Sequence, residues 1–125
     1  MMKTINNFIG LHKNFYVDES IKHPDRMLNK LKHGRFIKEF YLISLLEDMD
    51  RLEIYCSYMF KQKFMRRKPF LFVGIFSSKD KAIEYIRVLS EISVAKFGDF
   101  KAKDTIDSLN DAEKEQLKVK GERNT

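Results

Sequence analysis

The segment 70–76 constrains the fold more than any other part of the chain. It reads Phe-Leu-Phe-Val-Gly-Ile-Phe, so apolar side chains occupy both alternating faces of an extended strand. Pro69 precedes it, and proline is accepted at the first position of a strand. A strand that is apolar on both faces has to be buried on both faces. The sequence therefore predicts a central strand over 70–76 with a cover on each side.

The main helix is predicted directly after this strand, over residues 79–96. Ser77 or Ser78 can cap its first turn, and Gly98 marks its end because glycine accepts the left-handed conformation that terminates helices. Its apolar stripe is expected to consist of Ala82, Ile83, Ile86, Leu89, Ile92 and either Val94 or Phe97.

A shorter helix is predicted near the N-terminal end. Pro24 suits the first turn of a helix and Gly34 suits its end, which places the helix over 24–33. Residues 1–20 contain apolar side chains without a clear period, so the sequence assigns no element to them.

The C-terminal part of the chain has few apolar positions. A weak helix is predicted to begin near Ser108 or Asn110 and to end near Lys118. Residues 121–125 are expected to form a frayed tail, because chain ends with few apolar contacts are poorly ordered.

Residues 35–63 fit two patterns. With a period of two, 36–46 forms one strand and 52–60 another, joined by a polar turn at 47–51. With a period of 3.6, apolar residues between 37 and 59 fall on one stripe of a single long helix. The aromatic and isoleucine content and the polar gap favour the hairpin.

These elements predict an α+β fold. A small antiparallel sheet of about three strands is expected to pack against helices, of which the main one spans 79–96. The chain has 125 residues, so we expect a single domain over 1–125. A domain of this length buries about two-thirds of the surface of its unfolded chain, and therefore needs neither metal nor disulfide for stability.

Patterns typical of catalytic and cofactor sites do not occur in the sequence. Phosphate-cradling, dinucleotide-binding, zinc-protease and serine-hydrolase motifs are missing, which predicts no cofactor and no catalytic residue. The single cysteine, Cys56, is expected to be a small structural residue rather than a nucleophile activated by a histidine. The three histidines lie 11 and 10 residues apart, which is not a metal-ligand spacing, so no metal site is predicted.

The one concentrated charge lies at residues 61–68, which we call the basic loop. The chain has a net charge of +6, and the basic loop holds five cations in eight positions without an acid. Cations of this kind neutralise phosphates while aromatic rings stack on unpaired bases. The residues predicted to bind nucleic acid or a protein partner are Lys61, Lys63, Phe64, Arg66, Arg67 and Lys68.

The strand after the basic loop resembles a nucleic-acid-binding signature. Residues 68–75 are similar to the RNP1 strand of RNA-recognition motifs at Lys68, Phe70, Phe72 and Val73. They depart from it at Pro69, Leu71 and Ile75. Residues 40–45 loosely resemble the RNP2 strand of the same family. The resemblance covers 40–97 and implies a four-stranded sheet that stacks bases on its open face, here on Tyr41, Phe70 and Phe72.

Two functions agree with these features, and neither is enzymatic. The first is nucleic-acid binding through the basic loop. The second is a protein–protein interaction or inhibitor domain, of the kind that phages and mobile elements encode, with an acidic protein as partner. The ending of strand 70–76 in Phe-Ser-Ser before a helix is also similar to small uncharacterised bacterial α+β domains. An enzyme of unrecognised type has no motif in its favour.

The sequence predicts a cytoplasmic protein. The first residues lack an apolar stretch of signal-peptide length, and the single cysteine agrees with a reducing compartment. No apolar run reaches the roughly 20 residues of a spanning helix, so membrane insertion is not expected.

Overall fold

Five strands form one mixed sheet in the computed structural model of this chain, which describes residues 2–4 and 9–123. The strands are β1 (Met2–Thr4), β2 (Ile9–Val17), β3 (Tyr41–Leu46), β4 (Arg51–Cys56) and β5 (Phe70–Phe76). They lie in the order β1-β2-β5-β3-β4, so β5 is the central strand. It runs parallel to β2 and antiparallel to β3, which makes the sheet mixed.

Helices cover both faces of this sheet. They are α1 (Pro24–His33), α2 (Lys79–Phe97), α3 (Ala102–Asp107) and α4 (Asp111–Arg123). Helix α1 packs on one face together with two short 3₁₀ turns, Ser57–Lys61 and Met65–Arg67. Helices α2, α3 and α4 pack on the other. We call these two sides the α1 face and the α2 face.

Strand β5 supplies side chains to both buried cores. On the α1 face, Phe72 and Ile75 have no exposed surface and pack with Leu28 and Leu31 of α1. On the α2 face, the cluster comprises Ile43, Leu45, Val73, Phe76, Ala82, Tyr85, Val88, Leu89, Ile92, Ala102, Ile106, Leu109 and Leu117. The prediction of a central strand with a cover on each side is therefore confirmed.

Gly74 is required where β5 switches between these faces. A Cβ atom at this position would lie 2.6 Å from the ring of Phe76, which is far inside van der Waals contact. Both neighbouring strands show a register shift close to Gly74. The shift changes the phase of the alternation, so that Val73 packs on the α2 face whereas Ile75, two residues later, packs on the α1 face.

Most predicted elements are confirmed. The fold is α+β, the short helix spans 24–33, and the main helix spans 79–97 with Ser78 as its cap. The hairpin is present as β3 and β4, so the alternative of a long helix is wrong. Its strands are shorter than expected, because the chain enters a 3₁₀ turn after Cys56.

The sheet is larger than the predicted three antiparallel strands. Strand β2 was not predicted because polar residues such as His12 and Asn14 interrupt its apolar pattern, and it pairs with β5 through an irregular register. Helix α3 was not predicted because six residues are too few to show a helical period. The weak helix appears as α4 and continues to Arg123, while residues 124–125 of the expected tail lie outside the described residues.

The apolar stripe of α2 also differs from the predicted one. Tyr85 and Val88 are buried, whereas Ile83, Val94 and Phe97 are exposed. The Tyr85 ring lies 5.3 Å from the Phe76 ring and 5.3 Å from the Tyr16 ring, measured between centroids. The buried stripe therefore includes Tyr85, whose aromatic ring packs on the core although its hydroxyl is polar.

Asp18 joins the ends of β2 and β5 to the start of α2. Its buried carboxylate accepts hydrogen bonds from the backbone N–H of Ser77 at 2.8 Å and of Ser20 at 3.3 Å. The ammonium of Lys81 lies 3.4 Å away. Burial by itself raises the pKa of Asp18, but the hydrogen bonds from Ser77 and Ser20 and the charge of Lys81 outweigh burial, so the pKa is lowered.

We expect Leu89→Ala to lower the free energy of unfolding by about 2 to 5 kcal/mol, because it leaves a cavity in the α2-face core. Ile83→Ala is the matched control on the same helix, since Ile83 is 48% exposed. Its cost should stay within about 0.5 kcal/mol. Chemical denaturation measures both, and equal losses would contradict the observed stripe.

We expect Asp18→Asn to make the free energy of unfolding less dependent on pH. A carboxylate with a lowered folded pKa stabilises the protein above the unfolded pKa, near pH 4, and this contribution is lost as pH falls through the folded pKa. Unfolding free energies measured between about pH 6 and pH 2.5 should fall less steeply for Asp18→Asn than for the wild type. Asp48→Asn, in the exposed hairpin turn, is the control. A slope unchanged by Asp18→Asn would contradict the prediction.

Candidate functional site

The basic loop is held against the α1 face by two buried side chains. Phe60, directly before the loop, and Met65 within it belong to the α1-face core. The chain between and around them forms the two 3₁₀ turns rather than a longer helix. Because these two apolar anchors point inward, most of the remaining side chains of the loop are directed to solvent.

Two exposed aromatic rings lie beside cations of the loop. The Lys61 ammonium is 4.4 Å from the centroid of the Tyr58 ring, and the Lys68 ammonium is 5.5 Å from that of Phe64. Phe64 is 57% exposed and Tyr58 is 43% exposed. These separations are within the range of cation–π contacts. Each ring is therefore partly exposed and has a positive charge beside it.

Tyr58 was not among the predicted site residues. It precedes Lys61 by three positions, and residues three apart lie above one another in a 3₁₀ helix. The spacing of three indicates a contact between Tyr58 and Lys61 only when the segment is known to be a 3₁₀ turn. The strand predicted over 52–60 concealed it.

Arg66 has a different role from the other cations of the loop. Its guanidinium donates hydrogen bonds to the carbonyl oxygens of Phe60 at 2.9 Å and of Lys61 at 3.0 Å. It also lies over Gly34, where a Cβ atom would come within 2.2 Å of Arg66 Nη1. The guanidinium thus joins the loop to the end of α1. Arg66 therefore has a structural contact that the sequence did not predict, and its assignment to ligand binding stays a prediction.

The other four cations are exposed: Lys61, Lys63, Arg67 and Lys68. Among the side chains that the structure describes, no carboxylate lies within salt-bridge distance of any of them. Their charge is therefore not neutralised by a neighbouring acid of the described chain.

The three predicted stacking residues do not share one open face. Phe72 has no exposed surface, because it packs in the α1-face core with the Phe60 ring 6.1 Å away. Phe70 is half-buried and stacks on Phe72 at 5.2 Å. Tyr41 contacts the opposite core, and its hydroxyl donates a hydrogen bond to Glu39 that raises the pKa of Tyr41 to about 12. The expected platform of Tyr41, Phe70 and Phe72 is thus wrong, because both faces of the sheet carry a core.

The fold concentrates positive charge on the α1 face. Residues 22–39 carry six Lys or Arg and two acids, and residues 57–68 carry five and none. Both segments contribute to the α1-face core. Since the whole chain has a net charge of +6, the remaining residues together are negative. The molecule therefore has a strongly basic side centred on α1 and the basic loop.

Exposed apolar side chains accompany this charge. Phe36, two residues beyond the Gly34–Arg66 contact, is 83% exposed and has a positive φ of 57°. Met59, beside Tyr58, is 40% exposed. The surface around the basic loop therefore combines cations with apolar area.

A wide cleft of about 680 Å³ opens where the basic loop meets β5. Lys68, Phe70 and Tyr55 line one part of it. The acids Glu47, Asp48 and Glu53 line the rest and oppose entry of phosphates. The outer side of the loop, away from these acids, is therefore the more basic surface.

The residues considered for catalysis lie apart from this surface. Cys56 is half-buried at the end of β4, and no hydrogen bond joins it to a histidine in the described chain. His12 is buried and accepts the Asn14 N–H on Nδ1, so its Nε2–H points to Asp107 at 2.6 Å. Among the described residues, no three His, Cys, Asp or Glu side chains are grouped as metal ligands.

Comparison with family models, curated proteins and solved structures finds no match to this chain. The resemblance to RNA-recognition motifs therefore stays a prediction. In the part of the chain that the structure describes, no helix combines the length and the hydrophobicity needed to cross a bilayer.

We expect Arg66→Ala to destabilise the protein by about 1 to 3 kcal/mol, because the carbonyl oxygens of Phe60 and Lys61 lose a charged donor. The neighbouring exposed cation provides the control: Arg67→Ala should change stability by no more than about 0.5 kcal/mol. Thermal and chemical unfolding measure the difference. Equal stability of the two variants would show that Arg66 does not hold the loop.

Proposed function

We propose that this protein binds single-stranded nucleic acid through the outer side of the basic loop. The observation that carries the proposal is the pairing of two exposed rings, Tyr58 and Phe64, with loop cations. Bases of a single strand stack on such rings, and its phosphates meet the cations alongside. Lys61, Lys63, Arg67 and Lys68 are assigned to the phosphates.

The charge distribution supports this proposal. A polyanion approaching the molecule is attracted to the α1 face, where the acid-free loop lies. The two rings differ from Phe72 in being exposed, so bases can reach them without a change in the fold. No sequence preference is expected from this arrangement, since every base presents a π-face.

An acidic protein partner is the second candidate. The exposed Phe36 and Met59 near the loop favour it, because apolar area beside charge is common at protein interfaces. The two candidates differ in how affinity depends on salt. A single strand releases condensed counterions when it binds, whereas a protein complex depends more on buried apolar area.

The test is a fluorescence-anisotropy titration with mixed-sequence single-stranded DNA and RNA at several salt concentrations. Four phosphate contacts predict a slope of log affinity against log salt near −3, at about 0.7 per contact. Replacing Arg67 and Lys68 together by Ala should make the slope shallower by about 1.4. Phe64→Ala should cost about 1 to 3 kcal/mol at every salt concentration.

Lys114 and Lys118, exposed on α4, provide the control for net charge. Their joint replacement by Ala removes the same charge as the Arg67/Lys68 variant but should leave the slope unchanged. No binding at tens of micromolar protein in low salt, or equal effects of the two double variants, would overturn the proposal. A stoichiometric complex with an acidic protein and weak salt dependence would then favour the second candidate.

A further inference from the structure

A second cleft, of about 340 Å³, lies on the α1 face away from the basic loop. One wall is formed by residues 26–30 of α1 with the residues before the helix, and the other is the segment 37–40. No residue of the basic loop lines it. Its volume falls in the range of sites that hold small molecules.

The walls of this cleft are basic. Lys22, Arg26 and Lys30 line one side and Lys38 lines the other. Arg26 and Lys30 are one helical turn apart, so like charges are neighbours, an arrangement that costs stability without a counter-ion. In the described residues none of the four cations lies within salt-bridge distance of a carboxylate.

The acidic groups near the cleft are engaged elsewhere. Glu39 is the one acid among the lining residues, and it accepts the hydrogen bond of the Tyr41 hydroxyl. Ser77 and Ser20 stand at the rim, where Ser77 donates to Asp18 and Ser20 accepts from Lys81. Lys81 also compensates the charge of Asp18. The cleft is therefore lined by four cations and one carboxylate, and an anion entering it meets a net positive charge.

The inner surface of the cleft is apolar. Ile21 and Ile37 belong to the α1-face core and line the cleft, and the half-buried Met27 of α1 lines it too. Methionine adapts its shape to flat or irregular ligand groups. A ligand that fits both surfaces has one anionic end and one apolar part.

We propose that this cleft binds a phosphate monoester that carries a flat aromatic ring, as a nucleoside 5′-monophosphate does. Arg26 and Lys30 hold the phosphate from α1, and Lys38 closes on it from the opposite wall. The ring lies against Met27 and Ile37. Arginine suits this role because its fork of donors matches phosphate oxygens. The site goes beyond the proposed function and does not depend on it.

Such a phosphate occurs on a free nucleotide and at the 5′ end of a nucleic-acid strand. The experiment has one arm for each source and uses the full chain labelled with ¹⁵N. Adenosine 5′-monophosphate is titrated directly, with adenosine and inorganic phosphate as partial ligands. A short single strand is compared with and without its 5′-phosphate.

We expect saturable amide shifts at residues 20–30 and 37–40 with adenosine 5′-monophosphate or with the phosphorylated strand. Adenosine alone should bind at least about tenfold more weakly, because it lacks the charge that Arg26 and Lys30 hold. The Arg26→Ala/Lys30→Ala variant should weaken binding by about tenfold or more, the loss expected for two charge-assisted hydrogen bonds. Alanine maintains helix propensity, so α1 should remain folded.

Lys38→Ala is the second variant, and it leaves α1 unaltered. It should also weaken the binding of adenosine 5′-monophosphate, whereas Arg67→Ala/Lys68→Ala in the basic loop should leave the binding of this nucleotide unchanged. The source of the phosphate is the ligand, free nucleotide or 5′-phosphorylated strand, whose binding is weakened by the cleft variants. Lack of saturation in both arms, or equal losses of adenosine 5′-monophosphate binding in the cleft and loop variants, would overturn the proposal. If the basic loop does not bind single strands, the cleft can still bind the nucleotide, so the two proposals are tested independently.

Discussion

Strand β5 requires burial on both of its faces, and the arrangement of the whole chain follows from that requirement. Its side chains enter two separate cores, with Val73 and Phe76 on the α2 face and Phe72 and Ile75 on the α1 face. Gly74 makes the switch between the two faces possible, since the Phe76 ring occupies the space that a side chain would need. Neither cover alone would remove this strand from water.

The two covers are unequal, and this inequality shapes the candidate site. The α2 face receives three helices, while the α1 face receives one helix of ten residues. The cover of the α1 face is completed by irregular chain, which supplies Phe60 and Met65 to the core. Short turns between such anchors expose the residues in between, and in this sequence those residues are cations and Phe64. The basic loop is thus part of the structural cover as well as the proposed binding surface.

Local signals predicted the elements that have clear ends. Pro24 with Gly34, and Ser78 with Gly98, set the limits of α1 and α2 because caps act within one turn of the chain. Strand β2 depends instead on a distant partner. Its polar residues are accommodated by tertiary contacts, such as that of His12 with Asp107 of α3, which is 95 residues away. No pattern within β2 contains that information.

The site was predictable in composition but not in geometry. Charge counting located the basic loop, and Phe64 is exposed as expected, but counting assigned Arg66 and Arg67 the same role. They differ because Gly34 ends α1 in the left-handed conformation, with φ 70°, and has no side chain to exclude a guanidinium. Arg66 fills that space and binds the carbonyl oxygens that begin the loop. One glycine therefore both terminates α1 and admits the contact that orients the loop, so the position of the proposed binding surface depends on the end of the helix beside it.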